Sequence, residues 1–245
     1  MTRAKALSLH DFVQIPAGEF VMGSDEFDIE APRRTVRVDS FLLDRHPVTV
    51  EQYRLFCEDT DHVLPGDFPG PGAKDRHPVE RVSWSDAVAY CEWIGARLPS
   101  EAEWERAARG TSGLRYPWGE EFDEDRCIVW ERAVTLGITT VAVDELTDGA
   151  SPDGVLHLAG NVEEWVDGVF LPYPGSAHVS PYAEGDCRTL RGGSWFYTQE
   201  YARGAYRRGA VPSFTGYPGG GGPGFRCARS AATETPVFTT AGAGA

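Results

Sequence analysis

The chain has 245 residues, 41% of them apolar, and carries 37 acidic against 23 basic side chains, for a formal charge of −14. That length fits one large domain or two small ones, with enough apolar material for a real core. The acid excess speaks against nucleic-acid and anionic-membrane binding, which rest on clustered Lys and Arg, so neither is an expected partner.

Residues 1–16 lack the apolar run of a secretory signal and nothing elsewhere approaches a membrane span, so the expected location is the cytoplasm. Residues 1–11 read as an N-terminal extension of a domain over 12–230. The segment FVQIPAGEFVMGS (12–24) predicts two short strands around a Pro-Ala-Gly turn, and RTVRVDSFLLDRHPVT (34–49) one longer alternating strand. Thr49 and Gln52 have capping-box spacing for a helix running to about Cys57. Residues 60–80, with Gly and Pro throughout LPGDFPGPG, read as an irregular loop. A second helix follows, capped by Ser85 or Asp86, with Ala87, Val88, Cys91 and Ile94 at helical spacing and Gly95 and Pro99 closing it. Ser100 and Glu103 form a capping box for a third, whose apolar face is Trp104, Ala107 and Ala108 and whose stop is Gly110.

Residues 120–152 are acidic and poorly patterned, and regular structure tightens again over 154–166. The segment PGGGGPG (218–224) reads as flexible, since four consecutive glycines hold neither helix nor strand well. Residues 231–245 read as a disordered tail. No HExxH, paired CxxC, Ser-His-Asp signature or phosphate loop occurs. His46 and His77, each ahead of a proline, read as structural hydrogen-bonders. The five cysteines are widely scattered, unlike a disulfide framework.

Several phrases carry a family resemblance: IPAGEFVMGS (15–24), DRHPVTVEQY (44–53), VSWSDAVAYCEWIGARLPSEAEWERAARGTSGLRYPWG (82–119), DGVLHLAGNVEEW (153–165), LRGGSW (190–195) and GFRC (224–227). In this order they resemble the formylglycine-generating enzyme, or sulfatase-modifying-factor, family. The resemblance implies an α+β, modified C-type-lectin-like fold, with helices beside small twisted antiparallel sheets and long irregular loops. It also implies that Cys91 and Cys227 are partners, as a disulfide or as neighbouring buried thiols.

Family members that oxidise a cysteine to formylglycine hold copper(I) through two cysteines five positions apart, just after the GGS turn. Soft thiolates suit copper(I). Here the matching positions are Tyr197 and Ala202, and no cysteine lies between Cys187 and Cys227. A phenol and a methyl group do not replace a dithiolate, so the copper-oxidase chemistry is expected to be absent. A calcium site of the family maps onto His157, the carbonyls of Gly160 and Val162, and Glu164. Calcium prefers hard oxygen ligands, whereas imidazole with carboxylate suits iron or zinc, and Glu164 with Asn161 would equally serve buried backbone groups.

The loop beyond the GGS turn holds Trp195, Phe196, Tyr197, Tyr201, Arg203, Tyr206 and Arg208, with Arg207, Phe214 and Tyr217 close by. Tyr, Trp and Arg dominate binding hot spots and give large contact area at low entropic cost. Three functions remain in view. The first is a binding module presenting residues 195–217 to a peptide, protein or small-molecule ligand. The second is a divergent iron- or copper-dependent oxidoreductase using His157, Glu164 and Tyr197. The third is formylglycine generation on sulfatases.

Overall fold

A computed structural model describes residues 2–65, 74–179 and 185–231. The expected tail and the centre of the 60–80 loop lie outside them. The chain opens with helix α1 (Thr2–Ser8), then strands β1 (Phe12–Ile15), β2 (Gly18–Met22), β3 (Arg34–Val38) and β4 (Phe41–Asp44). Residues 34–44 are therefore two strands, not one. The chain breaks at Asp39–Ser40, so β3 pairs with β2 as a two-stranded ribbon while β4 crosses to β1. The alternation reads the same either way, because a strand's side-chain period says nothing of its partner.

Helices α2 (Val50–Asp59), α3 (Trp84–Trp93) and α4 (Glu101–Arg109) follow. Both expected capping boxes form: Thr49 and Gln52 bond reciprocally at α2, and Ser100 and Glu103 at α4. At α3 the cap is Ser83, whose Oγ accepts from the Asp86 N–H at 3.2 Å, so the helix starts ahead of the expected Ser85 or Asp86. The segment 120–152 holds a further helix, α5 (Trp130–Leu136). No side chain caps it, and Trp130, Val134 and Leu136 face outward, which is why no core-facing periodicity announced it.

The rest of the chain supplies β5 (Glu164–Val169), β6 (Arg188–Arg191), β7 (Arg207–Ala210), β8 (Gly224–Phe225) and β9 (Ala228–Ser230). Their order is β7-β6-β5-β8 in one sheet, with β8 parallel to β5, while β9 joins β4 to complete a three-stranded sheet. Among the described residues, five α-helices and three small sheets linked by long loops give the expected α+β class. No described helix is long and apolar enough to cross a membrane.

Two apolar clusters hold these layers together. One gathers Tyr53, Phe56, Tyr90, Trp165 and Phe225 around α2 and α3. The other packs Phe20, Phe41, Trp104 and Val166 between α4 and the strands. The described part of the expected 1–11 extension, residues 2–11, closes onto the first: Ala6 is fully buried, Leu7 packs against this cluster, and His10 bonds both Asp44 and Tyr90. Cys91 and Cys227 lie in the same cluster as neighbouring free thiols, their sulfurs 3.2 Å apart.

Long loops leave many backbone carbonyls to satisfy, and buried arginines do much of this. Arg191, Arg207 and Arg226 are almost wholly buried. Arg191 donates to Glu105 and to the carbonyls of Gly204 and Ala205, and Arg207 holds Glu101 bidentately while reaching the Leu171 carbonyl. Arg191 and Arg207 thus each span a strand, helix α4 and a loop at once.

Candidate functional site

The Arg-Gly-Gly-Ser turn at the end of β6 sets the site. Gly193 has φ +65°, and a Cβ there would lie 2.5 Å from the Tyr201 carbonyl, so only glycine lets the following loop fold back this closely. The loop then runs Trp195–Phe196–Tyr197 along the surface. The Trp195 N–H donates to the Asn161 carbonyl at 3.1 Å, and the Tyr197 carbonyl accepts from the Trp130 N–H at 2.8 Å, fastening the loop to α5.

The rings form a chain. Phe196 meets Trp195, Trp130 and Tyr197 edge-on at 5.6, 5.7 and 6.1 Å, and stacks with Tyr217 at 6.2 Å. Tyr197 continues to Tyr201 at 5.3 Å and Tyr201 to Tyr206 at 5.1 Å, while Tyr217 meets Phe214 at 5.2 Å. Such aromatic pairs favour offset or edge-to-face packing at these separations. The glycine run is part of this surface. Gly220, Gly221 and Gly222 are buried, and Cβ atoms at the first two would meet the Phe196 ring at 2.9 Å and the Trp195 Nε1 at 3.1 Å. The expectation of a flexible segment is therefore corrected: the glycines let the backbone lie flat on two rings.

Beneath the rings sits a charge pair the sequence reading overlooked. Glu163 is buried and takes Arg208 through two hydrogen bonds, at 2.9 and 2.5 Å. Burial pushes its carboxyl up, opposed by the Arg208 guanidinium. Arg208 in turn lies over Phe214 at 5.0 Å and Tyr197 at 5.8 Å. Burial, and then the Glu163 charge, hold the Tyr197 phenol well above its ordinary range, so it stays protonated. At the other end Trp195 donates its indole N–H to Glu80 at 2.7 Å, and burial raises the Glu80 carboxyl.

The expected ligand-binding residues thus divide. Trp195, Phe196, Tyr197, Tyr201, Tyr206 and Arg208 come together, with Tyr206 mostly covered. Arg203 does not join them. It is buried and holds Glu30 bidentately at 2.7 and 2.8 Å over the Phe27 ring, tying down the loop before β3. Trp130 and Tyr217 belong to the surface, and Glu163 and Glu80 lie under it. The Glu163–Glu164 pair was itself the signal, since consecutive residues entering a strand such as β5 turn to opposite sides.

That alternation also decides the metal expectation at His157, Gly160, Val162 and Glu164. Glu164 spends both oxygens on Arg226, at 2.7 Å each, and accepts the Trp104 indole N–H at 3.0 Å. His157 bonds the Val143 carbonyl through Nε2 at 3.0 Å and Asn161 through Nδ1 at 3.2 Å. Nε2 must therefore carry the proton and Nδ1 accept, a neutral imidazole with no nitrogen to spare. Burial, and next the Arg226 charge, lower its pKa to about 4. A carboxylate already neutralised by a guanidinium and an imidazole bonded at both ends do not fit calcium or a transition metal as they stand. Copper(I) fares no better. Position 202 is a buried methyl and 197 a protonated phenol, while Cys187 and Cys227 are buried elsewhere. Tyr197 keeps company with Glu163 on one side, His157 and Glu164 with Arg226 on the other, so these three do not converge on one reacting centre. His46 and His77 bond the Pro47 carbonyl at 3.1 Å and the Thr140 hydroxyl at 2.9 Å.

Comparison with known proteins places the whole arrangement. Residues 1–231 match the sulfatase-modifying factor enzyme 1-like domain. The chain belongs to this family. It is 33% identical to a formylglycine-generating enzyme of Streptomyces coelicolor, over 93% of this chain and 92% of that one. It is 32% identical to the mouse protein named inactive C-alpha-formylglycine-generating enzyme 2, over 89% and 85% of the two chains. Among solved structures, PvdO from Pseudomonas aeruginosa superposes with a TM-score of 0.71 at 26% identity, covering 90% of this chain and 94% of that one. The family therefore includes a relative named as the enzyme and one named inactive, and the difference has to be argued from the site.

Proposed function

We propose that this chain is a non-oxidising member of the sulfatase-modifying-factor family, a binding module that presents the aromatic surface after its GGS turn to a peptide, protein or small-molecule ligand. One observation carries this reading. The positions where the family resemblance calls for a thiolate pair hold Tyr197 and Ala202, and Tyr197 is built into a continuous run of rings above the Glu163–Arg208 pair. Rings locked by their neighbours offer contact area at little entropic cost, and the buried ion pair fixes the floor beneath them.

The test combines copper(I) titration against a coloured copper(I) chelator with oxygen uptake in the presence of a cysteine-containing peptide. The expected result is neither stoichiometric copper binding nor thiol-dependent oxygen uptake. Both together would overturn the reading and restore formylglycine generation.

A further inference from the structure

The aromatic surface does not stop at the loop. Helix α5 turns apolar side chains to solvent, with Trp130 43%, Val134 59% and Leu136 53% exposed. A solvated seven-residue helix has no need of three large exposed apolar groups. The Trp130 ring meets Phe196 edge-on, so this face continues the loop surface rather than forming a patch of its own.

A second border is acidic. Gln199, between Tyr197 and Tyr201, also walls a concavity of about 740 Å³ lined by Trp118, Glu120, Glu121, Glu124 and Asp125 among others. Residues 120–132 hold six carboxylates and two arginines. Arg126 is spent on Asp123, and Arg132 on the Glu124 carbonyl and, at 3.6 Å, on Asp125. Glu120 and Glu121 are exposed and make no ion pair among the described residues.

Resting on the binding-module reading, we infer that loop 195–217, the outer face of α5 and this acidic concavity form one docking surface for a basic polypeptide segment that carries apolar side chains. Charge complementarity selects the occupant. Apolar groups of the partner cover Trp130, Val134 and the tyrosine rings, and its Lys or Arg side chains reach Glu120 and Glu121. The ring faces attract cations as well, so the two halves favour the same partner. Nucleic acid and anionic lipid are repelled by the same field.

The probe is a fluorescein-labelled 16-residue peptide of Lys, Leu and Trp, beside a Glu-for-Lys counterpart and a Lys-Gly-Ser peptide of equal charge, followed by anisotropy. The Lys-Leu-Trp peptide is expected to bind and to weaken about tenfold between low and high salt, since exposed charge attraction is screened. Trp130→Ala with Val134→Ala should weaken it at every salt concentration. Glu120→Gln with Glu121→Gln should weaken it at low salt and leave high-salt binding unchanged. All four side chains are exposed, so these variants are expected to fold. Equal binding of the Lys-Gly-Ser peptide would overturn the inference, showing mere charge attraction. Loss of binding in Tyr201→Ala or Tyr217→Ala alone, with the α5 and glutamate pairs silent, would overturn this extension and leave the binding module standing. Indifference of every variant would sink both.

Discussion

Glu163 and Glu164 are consecutive at the entry to β5, yet each holds its own arginine: Glu163 takes Arg208 under the aromatic surface, and Glu164 takes Arg226 in the core. The division separates scaffold from site. Arg226 also reaches the carbonyls of Asp44, Arg45 and Leu156, so the Glu164 pair gathers the end of β4 and the loop before β5, whereas the Glu163 pair supports a floor.

Glu164→Ala is expected to cost about 3–5 kcal/mol, because it strands a buried guanidinium without its counter-charge. Urea denaturation followed by tryptophan fluorescence measures it. Calcium at millimolar concentration or a chelator should leave the wild-type midpoint in place, since the carboxylate is already engaged. A calcium-dependent rise in the midpoint that disappears in the variant would reinstate the metal site.

The family phrases and both capping boxes were legible because they are local: Ser100 and Glu103 state a helix start within four residues. What escaped was non-local. Nothing in residues 34–44 says that β3 and β4 turn to different partners. The Arg203–Glu30 pair spans 173 positions, so Arg203 in an aromatic-rich loop read as a surface contact when it is a buried tether. Helix α5 hid for another reason. Its apolar face looks outward, so the burial pattern that reveals most helices is absent. The glycine run misled through composition alone, since glycine serves close approach as readily as freedom.

That run supplies the next test. A Cβ at Gly220 would press on the Phe196 ring, and one at Gly222 would sit 2.4 Å from the Thr215 carbonyl. Gly220→Ala is expected to displace Phe196 and cost about 1–3 kcal/mol of stability, the usual penalty for overpacking. Gly219→Ala meets nothing within 4 Å, but its φ of +70° disfavours any side chain, so a smaller loss is expected there. Equal, negligible effects of both would mean that the loop stands off the rings in solution.

Tyr197 separates binding from chemistry. The phenol is held protonated by burial and by Glu163, so it is a poor base, and the ring contacts both Phe196 and Tyr201. Tyr197→Phe keeps the ring and is expected to weaken ligand binding by about 1 kcal/mol, the value of one hydrogen bond. Tyr197→Ala removes a link of the ring chain and should cost several times more. Titration of both variants with one ligand checks the order; a larger loss on Phe than on Ala would point to the hydroxyl as a reacting group.

His157 makes stability depend on pH. In the fold its pKa is lowered to about 4 by burial and the nearby Arg226, while the unfolded chain carries an ordinary imidazole near 6.5. Between those values the unfolded chain binds the proton and the native state does not, so stability is full above about 6.5 and falls as pH drops toward about 4. The whole effect is on the order of 3 kcal/mol. His46 and His77 are lowered in the same direction by burial, so the raw slope is not that of His157 alone. His157→Asn isolates it, because asparagine tolerates the residue's φ of +57° and does not titrate. The variant should be less stable near neutrality, having lost the bond to Val143, yet flatter across the window from pH 6.5 to 4. Parallel slopes for the two proteins would mean that His157 is protonated in the native state and that its Nδ1 does not accept from Asn161.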